Sequence, residues 1–544
     1  MRIAILSRNK DMTSAQQFYY IVLILGNALA ALLVFYSEGL FTYILLSATV
    51  LYSLVGFYDL FFSPHSLNRL YPVLAYIRYG LESFRTEIQQ YFIANNLEEM
   101  PFNREQRDLV YRRAKGVTDT LPFGTQRDLM QANYQSIWHS LAPTNVNQTS
   151  RRVLIGGSDC TQPYSSSLFN ISAMSYGAIS AEAIEALNRG AQLGNFYHNT
   201  GEGGLSPHHL KHGGDIVWQI GTGLFGCRTH EGRFDPEAFA KLANVEQVKM
   251  IEIKLSQGAK PGHGGVLPKA KITDEIALIR GIEKGVDCVS PAINPECDTP
   301  LALLEFVQKL RTLANGKPIG IKLCIGNPAE FLCLAKAMLE TNTFVDFITI
   351  DGAEGGTGAA PVEFSNRLGM MCIEGTYLVH NALIGLGIRD KITIIAAGKT
   401  ATGFDILNKL AYGADVVNAA RTFMLALGCI QSRHCDSNKC PTGIATQDKN
   451  RSKAIDVAIK SKRVASFHER TLHSCFDLVG SMGLNDMTAL THTMIKVRTP
   501  NGILDPNTLS AFTLSQRQLL DDCPEGVWQT WWQQASSHSF QIEP

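Results

Sequence analysis

Two long uncharged runs, residues 18–36 and 40–58, open the chain, and only Ser37, Glu38 and Gly39 separate them. Each is close to the ~20 residues that an α-helix needs to cross the hydrocarbon core of a bilayer. The pattern predicts a transmembrane helical hairpin over residues 1–65. Arg2, Arg8 and Lys10 precede the first run and Arg69, Arg78 and Arg85 follow the second. That excess of basic residues places both ends, and the body of the protein, in the cytoplasm, with the Glu38 turn on the far side. A cleaved signal peptide and a pair of buried core helices are the competing readings of the same pattern; the first run is long for a signal sequence, and a second follows at once.

Residues 66–150 turn polar, with Arg/Glu-rich stretches of helical period, and read as a helical connector that Tyr91, Phe92 and Phe102 anchor to something apolar. From about residue 168, short apolar runs alternate with amphipathic stretches. The runs expected as strands are 169–175, 195–200, 248–255, 288–290, 319–325, 345–350, 392–397 and 414–419, and helical stretches include 181–193, 301–313, 328–339 and 403–410. Alternation of this kind implies parallel pairing, and eight units close into a TIM (β/α)8 barrel, assigned here to residues 151–490. Residues 491–544 form a C-terminal tail with Trp528, Trp531 and Trp532.

Composition narrows the function classes. The 544 residues hold 49 Lys plus Arg and 49 Asp plus Glu, so no net field draws nucleic acid. Twelve cysteines in so long a chain do not form the dense framework of a small secreted domain, and a reducing compartment is expected.

Active sites of TIM barrels lie at the C-terminal ends of the strands. Those ends here read Met174-Ser-Tyr-Gly177, Thr200-Gly-Glu-Gly-Gly204, Lys254-Leu-Ser-Gln-Gly-Ala-Lys260, Asp351-Gly-Ala-Glu-Gly-Gly-Thr-Gly358 and Ala397-Gly-Lys-Thr-Ala-Thr-Gly403. Glycines after the sixth and seventh strands let backbone N–H groups close on an anion, so a phosphate-bearing cofactor is expected there; flexible loop glycines are the plain alternative. Lys254 and Lys260 flank Gln257, where cations would stabilise a reduced flavin or grip a carboxylate; exposed loop lysines are the alternative. Glu202, set between glycines, suits substrate orientation or proton transfer. Gly221-Thr-Gly223-Leu-Phe-Gly226 matches a dinucleotide fingerprint in form only. No βαβ unit surrounds it, and it is expected to be a barrel loop.

Cys429, Cys435 and Cys440 lie within twelve residues, followed by Pro441. Their spacing fits neither common ferredoxins nor paired zinc ligands, and three thiolates suit a three-iron cluster; three ordinary loop thiols are the alternative.

In order and wording these segments resemble the FMN-binding synthase domain of glutamate synthases over roughly residues 150–490. The resemblance is carried by Met174-Ser-Tyr-Gly177, Gly201-Glu-Gly-Gly204, the run from Ile251 to Gly262, Gly355-Gly-Thr-Gly-Ala359, Gly398-Lys-Thr400, and Leu427-Gly-Cys-Ile430 through Cys435 to Gln447. It implies a 3Fe-4S cluster on Cys429, Cys435 and Cys440. It also implies FMN held by Met174, Ser175, Gly177, Gly201, Lys254, Asp351, Gly352, Gly355, Gly356, Thr357, Gly398, Lys399, Thr400, Ala420 and Arg421. Glu202, Lys254, Gln257 and Lys260 are the implied catalytic residues. The implied chemistry passes single electrons through the cluster to FMN and then a hydride to the imine of a 2-oxo acid, giving an amino acid, or the reverse. An external donor, a ferredoxin or a separate reductase, would supply the electrons, and membrane lipid would surround the hairpin; a homo-oligomer is also open.

The sequence departs from the family at several points. It opens on apolar helices instead of a glutamine amidotransferase domain, and no large β-helix domain is expected after residue 490. The lysine loop continues Pro261-Gly-His263-Gly-Gly265, where the family has glutamate, and Asn294-Pro-Glu-Cys-Asp-Thr-Pro300 replaces a His-His-Asp-Ile-Tyr stretch in a loop expected to face the substrate. The overall resemblance is to shorter, membrane-tethered bacterial glutamate synthase-like proteins. An amine transferase making N-methylglutamate and a non-catalytic electron-transfer or sensor subunit are the other readings.

Overall fold

The structure is a computed structural model that describes residues 12–37, 39–146, 151–500, 504, 505, 509 and 512–542. Arg2, Arg8, Lys10 and Glu38, on which the expected orientation of the hairpin partly rests, lie outside the described residues. Two compact units divide the chain between Glu99 and Met100.

The first unit contains two helices of membrane-spanning length and apolarity, Ser14–Tyr36 and Leu40–Phe61, with mean hydropathy 2.3 and 1.8. They pack through Gly56, whose missing Cβ leaves room for the Tyr19 ring, and the Tyr19 hydroxyl donates to the Ser53 carbonyl at 2.7 Å. Most of their surface is apolar and exposed, the reverse of a buried core helix. Shorter helices follow at Ser66–Leu70 and Ala75–Ser83.

The second unit is a closed barrel of eight parallel strands: β1 (Phe169–Ile171), β2 (His198–Asn199), β3 (Ile216–Ile220), β4 (Val248–Lys254), β5 (Ile319–Leu323), β6 (Phe347–Asp351), β7 (Thr393–Ala397) and β8 (Val416–Ala419). β8 pairs with β1, and β4 with β5 (Ile251 opposite Ile319), which completes the ring. Seven expected strands are present and one is replaced. Cys288–Val289 pairs antiparallel with Val266–Leu267 above the barrel mouth, and Ile216–Ile220 takes the place in the ring. The reason is burial: barrel strands are covered on both faces, and all five residues of Ile216–Ile220 are buried, whereas Val289 is 62% exposed.

The helices used below are α1 (Arg104–Lys115), α2 (Ala181–Gly194), α3 (Pro300–Leu313), α4 (Pro328–Thr341), α5 (Gly403–Ala411), α6 (Arg421–Leu427), α7 (Val457–Ser481) and α8 (Val527–Gln534). Side-chain oxygens of Ser180, Thr299, Asn327 and Thr402 cap α2, α3, α4 and α5 by accepting first-turn N–H groups, and Pro300 and Pro328 occupy first helical positions. The long helix α7 packs on α1, α2, α5 and α6. At α8, Trp528 is buried, and the Lys336 ammonium on α4 donates to the carbonyls of Trp532 and Ala535 at 2.7 and 2.8 Å. The tryptophan segment is thus part of the barrel wall.

Candidate active site at the barrel mouth

The β1 and β2 loops touch back to back. Gly201 has φ +66°, and a Cβ there would stand 2.6 Å from the Ser175 nitrogen, so only glycine permits the approach. This places Glu202 at the end of β4, where its Oε1 pairs with the Lys254 ammonium at 2.9 Å, and Lys254 also donates to Gln257 Oε1 at 3.1 Å. Glu202 Oε2 and Gln257 Nε2 are buried without a hydrogen-bond partner among the described residues, as is Arg280 Nε. Three orphaned polar atoms around one mouth are the signature of a polar ligand's place. Burial pushes the Glu202 carboxyl up, but Lys254, with Arg280 and Lys260, outweighs it and holds the acid below its usual range. Lys260, 1% exposed, donates to the Ala359 carbonyl at 2.9 Å, and burial lowers it to about 8 against the pull of Glu202.

One cleft joins Ser175, Glu202, Lys260, Arg280, Thr357 and Cys435. Arg280, anchored by donating to the Tyr176 carbonyl at 3.1 Å, was not singled out from sequence. Its only signal there is a cation at the end of a short helix. Ser290 lines the same cleft, but Asn294 and Cys297 line a separate, more apolar hollow with Ser256, Pro261, Cys324 and Phe540. The loop expected to face the substrate is therefore divided, because the antiparallel pairing of Cys288–Val289 turns the chain away after Ser290.

The glycine loops after β6 and β7 meet equally closely. The Asp351 carboxylate is occupied by Lys322 at 3.2 Å and the Gly258 N–H at 3.1 Å, so it ties the β4, β5 and β6 ends together. Burial lowers Lys322, but Asp351 and Glu252 overcome it and raise the ammonium above its usual range. Glu252 itself sits inside the barrel, accepting from Asn199, Gln219 and Thr349 at 2.8, 2.5 and 2.7 Å. A Cβ at Gly258 would overlap the Gly352 carbonyl, and one at Gly356 would stand 2.7 Å from the Arg421 side chain. Gly355 N–H donates to the Gly352 carbonyl at 2.8 Å. A Cβ at Gly398 would stand 2.8 Å from Glu354, whose carboxylate receives the Cys372 N–H, while Arg421 donates to the Glu354 carbonyl at 2.6 Å. Lys399 follows Gly398, Thr400 is buried, and Ala420 opens α6 directly before Arg421. Met174 and Gly177 complete the β1 loop, Met174 being buried and Gly177 at φ +103°. Gly403, read as part of the anion loop, instead makes room for α7: a Cβ would meet the Cys475 nitrogen at 2.5 Å.

Cys429, Cys435 and Cys440 follow α6, whose left-handed Gly428 ends the helix. The loop is fixed from three sides. Tyr111 donates to the Cys429 carbonyl at 2.7 Å, buried Lys271 donates to the carbonyls of Ala178 and Cys435 at 2.7 and 2.8 Å, and Gln447 donates to those of Gly177 and Ile179 at 3.1 and 2.9 Å. Burial pushes the Cys440 thiol up, but the Thr442 hydroxyl and the N–H groups of Ala445, Thr442 and Ile444 outweigh it and hold it below the usual thiol range. Among the described residues no three His, Cys, Asp or Glu side chains converge as a single-ion site. Bonds of ~2.3 Å to one ion would demand sulfurs under ~4 Å apart, whereas a multi-iron cluster spreads its ligands more widely.

A closed parallel barrel with an acid–lysine pair and buried unsatisfied polar atoms at its C-terminal mouth defines a barrel enzyme. The chain belongs to the glutamate synthase family, oxidoreductases acting on CH–NH2 groups: the family model described as "Conserved region in glutamate synthase" matches residues 105–485. The glutamate synthase large subunit-like protein YerD of Bacillus subtilis is 37% identical over 462 residues, covering 77% of this chain and 87% of that protein. The archaeal glutamate synthase [NADPH] of Archaeoglobus fulgidus is 35% identical over 321 residues, and the match covers 59% of each chain. Among solved structures, a flavocytochrome b2 variant with sulfite bound has a TM-score of 0.40 at 15% identity, covering 85% of this chain and 95% of that one.

Proposed function

We propose that this chain is an FMN- and iron–sulfur-dependent oxidoreductase, held to a membrane by its hairpin, that interconverts the imine of a 2-oxo acid and an amino acid. The observation that carries the reading is the cleft shared by Glu202, Lys260, Arg280 and Cys435, into which the orphaned Glu202 Oε2 fits a ligand N–H. The close-packed glycines of the β6 and β7 loops and the cations Lys399 and Arg421 suit the phosphate of FMN. Cys429, Cys435 and Cys440 suit a 3Fe-4S cluster, with backbone N–H groups already turned toward Cys440 Sγ. Bound there, the cluster would supply single electrons and FMN a hydride.

The chain's own residues supply the rest. Lys260 and Arg280 grip the substrate carboxylate. Glu202, kept ionised by Lys254, accepts from the substrate nitrogen, and the Lys254 ammonium holds the proton that this nitrogen exchanges. Gln257 orients Lys254 and offers its amide N–H to the substrate.

Anaerobic titration tests the proposal. Dithionite-reduced protein should be reoxidised by a 2-oxo acid with ammonia or methylamine, the two nitrogen sources separating glutamate synthase from amine transferase chemistry; reoxidation by neither would leave an electron-transfer subunit. Because Lys260 is a cation only below about 8, kcat/KM for the carboxylate substrate should fall as pH rises through about 8, measured as a pH–rate profile.

Exposed Arg433, Lys439, Lys449, Arg451 and Lys453 outnumber Asp436, Asp448 and Asp456 along the cysteine loop and its continuation, which favours an acidic one-electron donor. The donor-dependent rate should then fall with added salt while dithionite reduction does not change. The membrane assignment rests on the two apolar helices and is tested by retention of the protein in membranes after alkaline carbonate washing.

A further inference from the structure

Phe102 lies just before the residues that match the family, and just after the division between the two units. It is nevertheless one of the largest fully enclosed side chains of the barrel unit, 2% exposed. Its backbone is clamped at both polar atoms by one side chain of the cysteine loop: its N–H donates to Gln431 Oε1 at 3.1 Å, and its carbonyl accepts from Gln431 Nε2 at 2.9 Å. Its ring lies 5.2 Å from the Lys399 ammonium and 5.2 Å from the Arg421 guanidinium carbon.

Those two cations belong to different strand ends, β7 and β8, and converge on one aromatic ring. Lys399 makes no side-chain hydrogen bond or ion pair among the described residues, while Arg421 is fixed to the Glu354 carbonyl. Like charges brought together repel, and burial followed by the neighbouring Arg421 lowers Lys399 below its usual range. The negative face of an aromatic ring offsets part of that repulsion at no cost in geometry. Glu354, beside Gly352 and Gly398, and Asp405 are the nearest carboxylates to Lys399, and neither forms an ion pair with Lys399 or Arg421 among the described residues.

We propose that Phe102 is a positioning residue for a phosphate group: it gathers Lys399 and Arg421 into one dication and, through Gln431, fixes that dication to the loop of Cys429, Cys435 and Cys440. The inference rests on the FMN reading above and adds to it a residue from outside the matched family region. The phosphate site and the cysteine loop are thereby joined by a third element, the strap that leads into α1.

The test compares FMN with riboflavin, which differ only by the phosphate, on the full chain by fluorescence titration. Phe102→Leu should raise the FMN dissociation constant about tenfold and leave that of riboflavin unchanged, and Phe102→Tyr should restore FMN binding. Phe102→Met is the second variant should the leucine protein not fold, with the melting temperature of each recorded. Equal FMN affinity in wild type and variant overturns the inference, and so does an equal loss for both flavins, which would mark a packing role only. If the wild-type chain binds neither flavin, the FMN reading itself falls.

Discussion

Replacing Lys254 with methionine should lower kcat/KM by about 10³-fold, or about 4 kcal/mol of transition-state stabilisation, with the overall fold retained. Methionine keeps the length of the stem but removes the only charge paired to Glu202 among the described residues, 2.9 Å away. Burial already pushes the Glu202 carboxyl up, and Lys254 is the largest influence in the other direction. Without it the acid takes up a proton and ceases to accept from the substrate nitrogen. The pH profile distinguishes this from simple misfolding: the residual activity of the variant should rise with pH as Glu202 is forced to ionise, whereas the wild type loses activity through the Lys260 step. Glu202→Gln should match the loss in rate at neutral pH without producing that new acidic limb. A Lys254→Met enzyme with wild-type kcat/KM would remove Lys254 from the chemistry.

The second large effect is expected at Cys435, the cysteine of the loop that borders the cleft. Cys435→Ala should release iron and reduce turnover with a protein electron donor at least about 10³-fold, while flavin content and reduction by dithionite stay near wild type. The Lys271 bond to the Cys435 carbonyl involves the backbone only, so the loop keeps that tie in the variant. Iron analysis and low-temperature paramagnetic resonance provide the readout. Full iron content in the variant would show that Cys435 is not a ligand.

Much of this arrangement was legible because chemistry at a barrel mouth leaves dense marks in sequence. The glycines around Glu202 and after Asp351 are required by backbone approaches that no Cβ survives, and such requirements show as clusters. The seven correctly placed strands were read from short apolar runs alternating with amphipathic stretches. Residues 288–290 were expected as a strand and Ile216–Ile220 was not, since length and pattern alone cannot separate a covered strand from a hairpin over the mouth. Arg280 and Lys271 carry no local pattern, and Phe102 shows in sequence only as an apolar anchor of the connector. Each matters through a partner far along the chain, Tyr176, Cys435 and Gln431 respectively, and such pairings exist only once the barrel has closed. Gly403 adds a requirement that its own segment does not show: its missing Cβ makes room for the neighbouring helix α7.

The contact between residue 258 and the carbonyl of residue 352 has a bearing on how substrate choice can change. With no clearance there, the lysine-bearing segment and the segment after β6 shift together or not at all, so a bulkier substrate gains no space on that flank. Variation is expected instead at Ser290, which lines the cleft, because a Cβ at Gly265 would stand 2.4 Å from Glu202 Oε1.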